Sequence, residues 1–255
     1  MPHKPRPTLS IVIPFHNEEE CITEVVEELL AVLGDGIDGG WELLMINDGS
    51  RDRTGAIMHE LIDRFPHRLR SLTLHPNSGQ SAALEAGFHA ARAPIIATLD
   101  GDGQNDPADI PRLLAEMRRR RVDMMCGIRA RRADNWVRRA SSRIANRIRS
   151  FVLGDNITDV GCSIRVFRRG AAIRIPHFRN FHRYFPALMQ MRGYRVAEMP
   201  VAHRSRAHGQ SKYGGGINSR LWVGIVDLAG AWWLRRRALS YRTTRHEIGG
   251  QPRVR

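Results

Sequence analysis

Cysteine is scarce in this 255-residue chain. Cys21, Cys126 and Cys162 are an odd set without CxxC spacing. That excludes a disulfide framework and a cysteine-built zinc site, and it fits a reducing compartment. The histidines show no HxxxH or comparable metal spacing, so they read as surface and loop residues. Lysine is nearly missing: Lys4 and Lys212 stand alone among 40 basic side chains. A compact ammonium at Lys212 is therefore conspicuous against an arginine background, either as a phosphate ligand or as a remnant. Long apolar runs are missing too. The longest, residues 221–234, is broken by Asp227 and falls short of the roughly 20 residues that span a bilayer. Residues 1–14 carry only a five-residue apolar run that ends in proline, which is no signal-peptide core. The expectation is a cytoplasmic chain with neither signal peptide nor transmembrane helix.

What is present describes a soluble globular protein, 42% hydrophobic and 26% charged. The formal charge of +14 draws it toward something anionic. The charge is unevenly placed: residues 1–110 hold 18 acidic and 8 basic side chains, whereas residues 111–255 hold 8 acidic and 32 basic. An acidic front and a basic back suggest two jobs in one chain. A nucleic-acid-binding protein would share this charge, but no RNP, zinc-finger, helix-turn-helix or KH pattern supports one.

The front half alternates strand and helix. Residues 9–13, 41–47, 70–74, 94–99 and 122–127 read as strands; residues 22–33, 54–65, 80–91 and 107–120 carry helical spacing. Such alternation predicts an α/β fold with a mostly parallel sheet covered on both faces, and ligands beyond the carboxyl ends of the strands. The basic run 129–149 contains the stripe Ile144, Ile148, Phe151 and Val152 of an amphipathic helix. A strand near 164–167, a helix over 181–192 and a strand over 194–201 complete a mixed back half, and the polar tail from 243 reads as disordered.

Three polar loops end three of the strands. Asp100-Gly101-Asp102-Gly103-Gln104 offers two carboxylates between glycines, a partial oxygen shell for a hard divalent cation beside a diphosphate, or a plain acidic turn. Asn47-Asp48-Gly49-Ser50 reads equally as a turn, and Pro14-Phe15-His16-Asn17-Glu18 as a helix cap. Their convergence carries more weight than any one alone.

With these blocks in order, the chain resembles the family 2 glycosyltransferases of the GT-A fold, and within them the dolichyl-phosphate mannosyltransferase-like branch that makes polyprenyl-phosphate sugars. The likeness spans residues 8–237. It rests on the three loops, on Asn105-Asp106-Pro107, on Val137-Arg138-Arg139 with Ser142, on residues 159–165 (DVGCSIR), and on Arg206 with Gly209-Gln210-Ser211-Lys212-Tyr213. It implies one catalytic domain: residues 8–127 for nucleotide-sugar and metal, 128–216 for the acceptor, 217–237 as a membrane-surface helix, and 238–255 as a tail. Pro14, His16, Glu18, Ile46 and Asp48 would hold the nucleoside. Asp100, Gly101, Asp102 and Gln104 would meet the diphosphate, with Asp100, Asp102 and Gln104 placing Mg2+ or Mn2+. Arg129, Arg138 and Ser142 would meet the acceptor phosphate, and Arg206 and Lys212 would close over donor or phosphates. Asp100, Asp102, Arg129 and Lys212 would carry the transfer itself. His16 and Asn47 depart from the tyrosine and first aspartate of the family pattern, so the base is not fixed by the resemblance.

The resemblance implies inverting transfer of a sugar from a UDP-hexose, UDP-hexosamine or GDP-mannose donor to undecaprenyl or dolichyl phosphate, feeding envelope glycan or lipid A modification. A phosphate acceptor is largely ionised near neutrality and attacks without a general base. Transfer to a saccharide hydroxyl is the alternative, and no base for it stands out. Asp159 reads as an orienter of an arginine, an acceptor contact or a structural turn residue. Residues 217–234 place Trp222, Trp232 and Trp233 between Arg220 and residues 235–237 (RRR), which suits a helix on an anionic membrane surface; a core helix closing the domain is the other reading.

Overall fold

The computed structural model of the chain describes residues 6–129, 146–204, 217–238, 244–245 and 253–254. Seven strands form one sheet: β1 (Leu9–Phe15), β2 (Trp41–Asn47), β3 (Leu69–Thr73), β4 (Ile95–Thr98), β5 (Met124–Arg129), β6 (Arg165–Arg168) and β7 (Val196–Val201). Their order is β3-β2-β1-β4-β6-β5-β7. β6 runs antiparallel to both β4 and β5, and every other pairing is parallel. The expected mostly parallel sheet is therefore present, with one reversed strand wedged into its middle.

The period-2 alternation of the strands sorts the helices. Leu9, Ile11, Ile13, Leu43 and Met45 point into one core with Ile22, Val26 and Leu29 of α1 (Ile22–Leu33), Met58 and Leu61 of α2 (Thr54–Arg64), and Ile110 and Leu113 of α4 (Asp109–Arg119). Val12, Leu44 and Ile46 point the other way, to Ala83, Leu84 and Phe88 of α3 (Gln80–Ala90) and to Phe185 and Leu188 of α7 (Phe185–Met191). Between α4 and α7 in the chain lie α5, helical over residues 146–153, and the single turn α6 (Arg169–Ala172). Each fully buried Leu or Ile contributes about 1.5–3 kcal/mol as an upper bound, so α1 is fixed by its apolar stripe. α3 lies so close to β1 that a Cβ on Gly87 would sit 2.3 Å from Val12 Cγ1. A Gly87→Ala change would lift the helix that forms one wall of the site described below.

The helix expected over 181–192 is divided. Phe181–Arg183 form a 3-10 turn, and α7 begins at Phe185 with Pro186 in its first turn. Proline has no N–H to return to the carbonyl of His182, and that oxygen instead accepts Arg165 Nη1 at 2.7 Å. The tail also departs from expectation: β8 (Thr244–Arg245) and β9 (Arg253–Val254) pair antiparallel. The last helix, α8 (Ile217–Arg237), docks on one side only. Leu228, Ala231 and Leu234 pack on the second core, and Arg235 Nη1 donates to Val152 O of α5. Its other side leaves Trp222, Val226 and Trp233 exposed, so it is not a core helix.

Candidate active site

β2, β1 and β4 are parallel neighbours, so the loops after them emerge at one edge. They line a cleft of about 520 Å³ with the start of α3 and the segment 179–183. The three loops identified in the sequence therefore converge as expected, and Pro14, His16, Glu18, Asp48, Asp100, Gly101 and Asp102 all border the cleft.

Backbone amides and short polar side chains hold these loops together. Asp48 is buried, and its carboxylate accepts Ser78 N at 2.8 Å, Gly79 N at 2.9 Å and Asn77 Nδ2 at 2.9 Å. Its visible work is to clamp the chain leading into α3. The His16 ring faces the carbonyl of Asp48 at 2.9 Å and Asn77 Nδ2 at 3.1 Å through Nδ1, and meets Asn17 Nδ2 at Nε2, 3.3 Å. Asn17, at φ 52°, accepts Arg51 N at 2.8 Å, and Glu18 N donates to Thr54 Oγ1 at 2.8 Å. Asn47 accepts Ser50 N at 3.0 Å, which makes it a turn residue here. The side chain of Ile46 is fully buried against α3, which leaves its backbone as the part that could meet a nucleoside.

The acidic loop is set against Phe15. A Cβ on Gly101 would stand 2.5 Å from that ring, so only glycine lets the loop lie this close to β1. Asp100 accepts Gln80 Nε2 at 2.8 Å. Its carboxyl is pushed up to about 6, first by burial and then by the Asp102 charge, against the pull of Ser163, Arg165 and Arg129. A carboxylate disfavoured as an anion beside a second carboxylate is what a cation would relieve, so the pair fits a hard divalent ion. Gln104 does not border the cleft. Its Nε2 donates to Arg204 O at 3.4 Å, and Arg204 N returns a bond to Gln104 O at 2.9 Å. It thus braces the chain that leads toward residues 205–216.

Arg129 and Asp159 form a two-pronged ion pair: Nε to Oδ2 and Nη2 to Oδ1, both 2.8 Å, with Arg129 N on Oδ2 at 3.2 Å. Asp159 thus orients an arginine and also serves its own turn, its Oδ1 accepting Gly161 N at 3.2 Å. Arg129 lies off the lining of the cleft. Arg138, Ser142, Arg206 and Lys212 lie outside the described residues.

Sequence reading missed the fourth wall. Arg179, Asn180, His182 and Arg183 reach the cleft from the segment before α7. Ser81 Oγ of α3 accepts Asn180 N at 2.9 Å and bonds His182 Nδ1 at 2.8 Å, and Asn180 Nδ2 holds Asp227 of α8 at 2.9 Å. A smaller adjoining recess of about 230 Å³ shares Gln80, Asp100, His182 and Arg183 and adds buried Arg165. Arg165 gives Nη1 to His182 O and Nη2 to Val160 O, both 2.7 Å, while its Nε has no hydrogen-bond partner among the described residues. The signal in the sequence was the density of His, Arg and Asn over 177–183, which no motif marks.

A family model described as Glycosyl transferase family 2 matches residues 10–175. The chain belongs to glycosyl transferase family 2. A dodecaprenyl-phosphate galacturonate synthase of Rhizobium johnstonii is 36% identical over 231 residues, covering 89% of this chain and 67% of that protein. An undecaprenyl-phosphate 4-deoxy-4-formamido-L-arabinose transferase of Edwardsiella ictaluri is 34% identical over 206 residues, 81% of this chain and 63% of that one. This family 2 chain thus spans about two thirds of the length of these curated relatives. Among solved structures, a mannosyltransferase from Pyrobaculum calidifontis, in complex with GDP-Man and Mn2+, superposes with a TM-score of 0.62 at 15% identity over 92% of this chain and 66% of that one. A glucosyl-3-phosphoglycerate synthase from Mycobacterium tuberculosis, in complex with Mn2+, UDP and glucosyl-3-phosphoglycerate, gives 0.61 at 15% identity, covering 98% of this chain and 86% of that one. These likenesses establish the GT-A fold that the motifs led us to expect.

Proposed function

We propose that this family 2 chain transfers a sugar from a nucleoside-diphosphate donor to a polyprenyl phosphate, with inversion. One observation carries the reading: a single cleft at the carboxyl edge of the sheet sets the acidic pair Asp100 and Asp102 together with Arg179 and Arg183. Such a site can neutralise two phosphorylated reactants that would otherwise repel. The names of the curated relatives, both polyprenyl-phosphate sugar enzymes, support the acceptor class. The basic back half and the exposed tryptophans of α8 suit a headgroup-rich surface and support a peripheral location on the inner leaflet of the cytoplasmic membrane.

An acceptor phosphate oxygen forms the new bond to the anomeric carbon as the bond to the nucleoside diphosphate breaks, and no proton need move. Asp100 and Asp102 would hold Mg2+ or Mn2+, which when bound supplies positive charge against the leaving diphosphate. The loop clamped by Asp48, with His16 and Glu18, forms the nucleoside side of the cleft, and Arg179 and Arg183 give the second anion its counter-charge. A hydroxyl acceptor is less well served. Asp159 is engaged by Arg129, and His182 is pushed down to about 3 by burial and by Arg165 and Arg183, a poor base at neutral pH.

The test is product analysis by mass spectrometry, with undecaprenyl phosphate, Mg2+ or Mn2+, and a panel of UDP- and GDP-sugars, beside Asp102→Asn and a chelator control. A lipid-phosphate sugar that depends on both metal and Asp102 is expected. Donor hydrolysis without lipid product across the whole panel would overturn the acceptor assignment.

A further inference from the structure

Away from the cleft, on the side of α3 turned from the sheet, three possible metal ligands meet. Glu85 and His89 are one helical turn apart, and His177 arrives from the segment before the 3-10 turn; one donor atom of each lies within 4.8 Å of the others. The sequence hides this group because its third member is 88 positions from the second.

The hydrogen bonds of His177 show what the group lacks. Its Nε2 faces Ala172 O at 3.1 Å, and a carbonyl can only accept, so Nε2 carries a proton. In the neutral ring Nδ1 then presents a lone pair, yet it faces Glu85 Oε1 at 3.1 Å, also an acceptor. Two acceptors at that distance need a positive charge between them. A ring proton would supply it, and so would a metal ion, for which a histidine that gives its far N–H to a backbone carbonyl is already oriented. The ring is held in place against Phe181, with centroids 4.6 Å apart.

We propose that Glu85, His89 and His177 form a transition-metal site of the zinc class. Two imidazoles and one carboxylate with a water in the fourth position make a common tetrahedral set, whereas Mg2+ favours oxygen alone. Tetrahedral ligation needs donors about 3.3 Å apart given Zn–N bonds of about 2.0–2.1 Å. Glu85 and His177 already meet that spacing, and exposed His89 has room to swing in. Arg169, which donates to the carbonyls of Phe88 and His89, places an opposing charge nearby that weakens the binding of a cation. The ion would tie the segment carrying Arg179, Asn180 and His182 to α3, stiffening the fourth wall of the cleft. The inference is independent of the transfer reaction.

The experiment is calorimetric titration of the full chain with Zn2+ in excess Mg2+, supplied to compete at the Asp100–Asp102 pair, with Co2+ absorption as a geometric probe. One equivalent binding at micromolar concentration is expected, with visible Co2+ bands of tetrahedral type. His89→Ala and Glu85→Gln should each weaken it at least about tenfold while leaving the circular dichroism unchanged. Equal binding by both variants, no saturable equivalent below about 100 μM, or binding spread over several weak sites would overturn the proposal.

Discussion

The sharpest perturbation of the cleft is Asp48→Ala, because two roles for that carboxylate predict different outcomes. If it contacts the nucleoside, its loss weakens nucleotide binding and leaves the fold alone. The structure instead makes it the acceptor for Ser78 N, Gly79 N and Asn77 Nδ2. Each hydrogen bond to a charged group contributes about 1.5–3 kcal/mol, so the three total roughly 4–9 kcal/mol before compensation. Residues 77 and 78 are exposed, and water reaches their donors once the side chain is gone, which reduces the expected loss to about 2–4 kcal/mol. With an m-value of about 3 kcal/mol/M, the urea midpoint should fall by roughly 1 M at unchanged slope. Asp48→Asn keeps one acceptor oxygen and should fall about half as far. Binding of UDP or GDP by calorimetry should weaken in step with the loosened loop. A midpoint within about 0.2 M of wild type, together with lost nucleotide binding, would refute the clamp and return Asp48 to direct nucleoside contact.

Acid should destabilise the protein partly through His182. Its folded-state value is pushed down to about 3, against about 6.5 unfolded, so below pH 6.5 the unfolded chain takes up a proton that the folded chain refuses. Stability conferred by the neutral ring is therefore complete above about 6.5 and is lost as pH falls toward 3; between pH 7 and 5 the loss is about 2 kcal/mol. His182→Asn, which keeps an acceptor for Ser81, should flatten that limb in urea titrations, and an identical slope in wild type and variant would refute it. On α8, Trp222→Ser and Trp233→Ser should each weaken flotation with phosphatidylglycerol vesicles by about tenfold, since burying a large apolar side chain contributes about 1.5–3 kcal/mol. Unchanged flotation of the double variant would remove the membrane role of this face.

What the sequence made legible follows from the range of each signal. The periods of β1, β2, α1 and α3 are local, and those elements lie within a residue or two of where the pattern puts them. The polar loops at their ends follow, because parallel strands carry their carboxyl ends to one edge. The position of β6 was not legible. Its apolar run is plain, but its insertion between β4 and β5 depends on pairing Ile96 with Phe167 and Met125 with Val166, partners 71 and 41 residues apart. The same limit hid Arg179 and Arg183. Nothing near them in sequence shows that Pro186 starts a new helix, or that Asn180 sits at φ 68° and turns the chain into the cleft. At Ile46 a family block marks the position, while the pleat of β2 turns its side chain into the core and leaves its backbone toward the loop.

The fourth wall links features that the sequence scatters. Ser81, one residue into α3, accepts Asn180 N and bonds His182 Nδ1; Asn180 in turn holds Asp227, the acid that interrupts the apolar run of α8. In a helix whose outer side is tryptophan and valine, an aspartate facing inward is costly unless paired, and the pairing it has found is to the cleft wall. The two jobs suggested by the acidic front and the basic back therefore meet at the start of α3: hydrogen bonds run from the helix with the exposed apolar side through Asn180 to Ser81, and its sequence neighbour Gln80 bonds the carboxylate of Asp100. Among the described residues, a shift of α8 relative to α7 would reach the cleft wall through the Asn180–Asp227 bond.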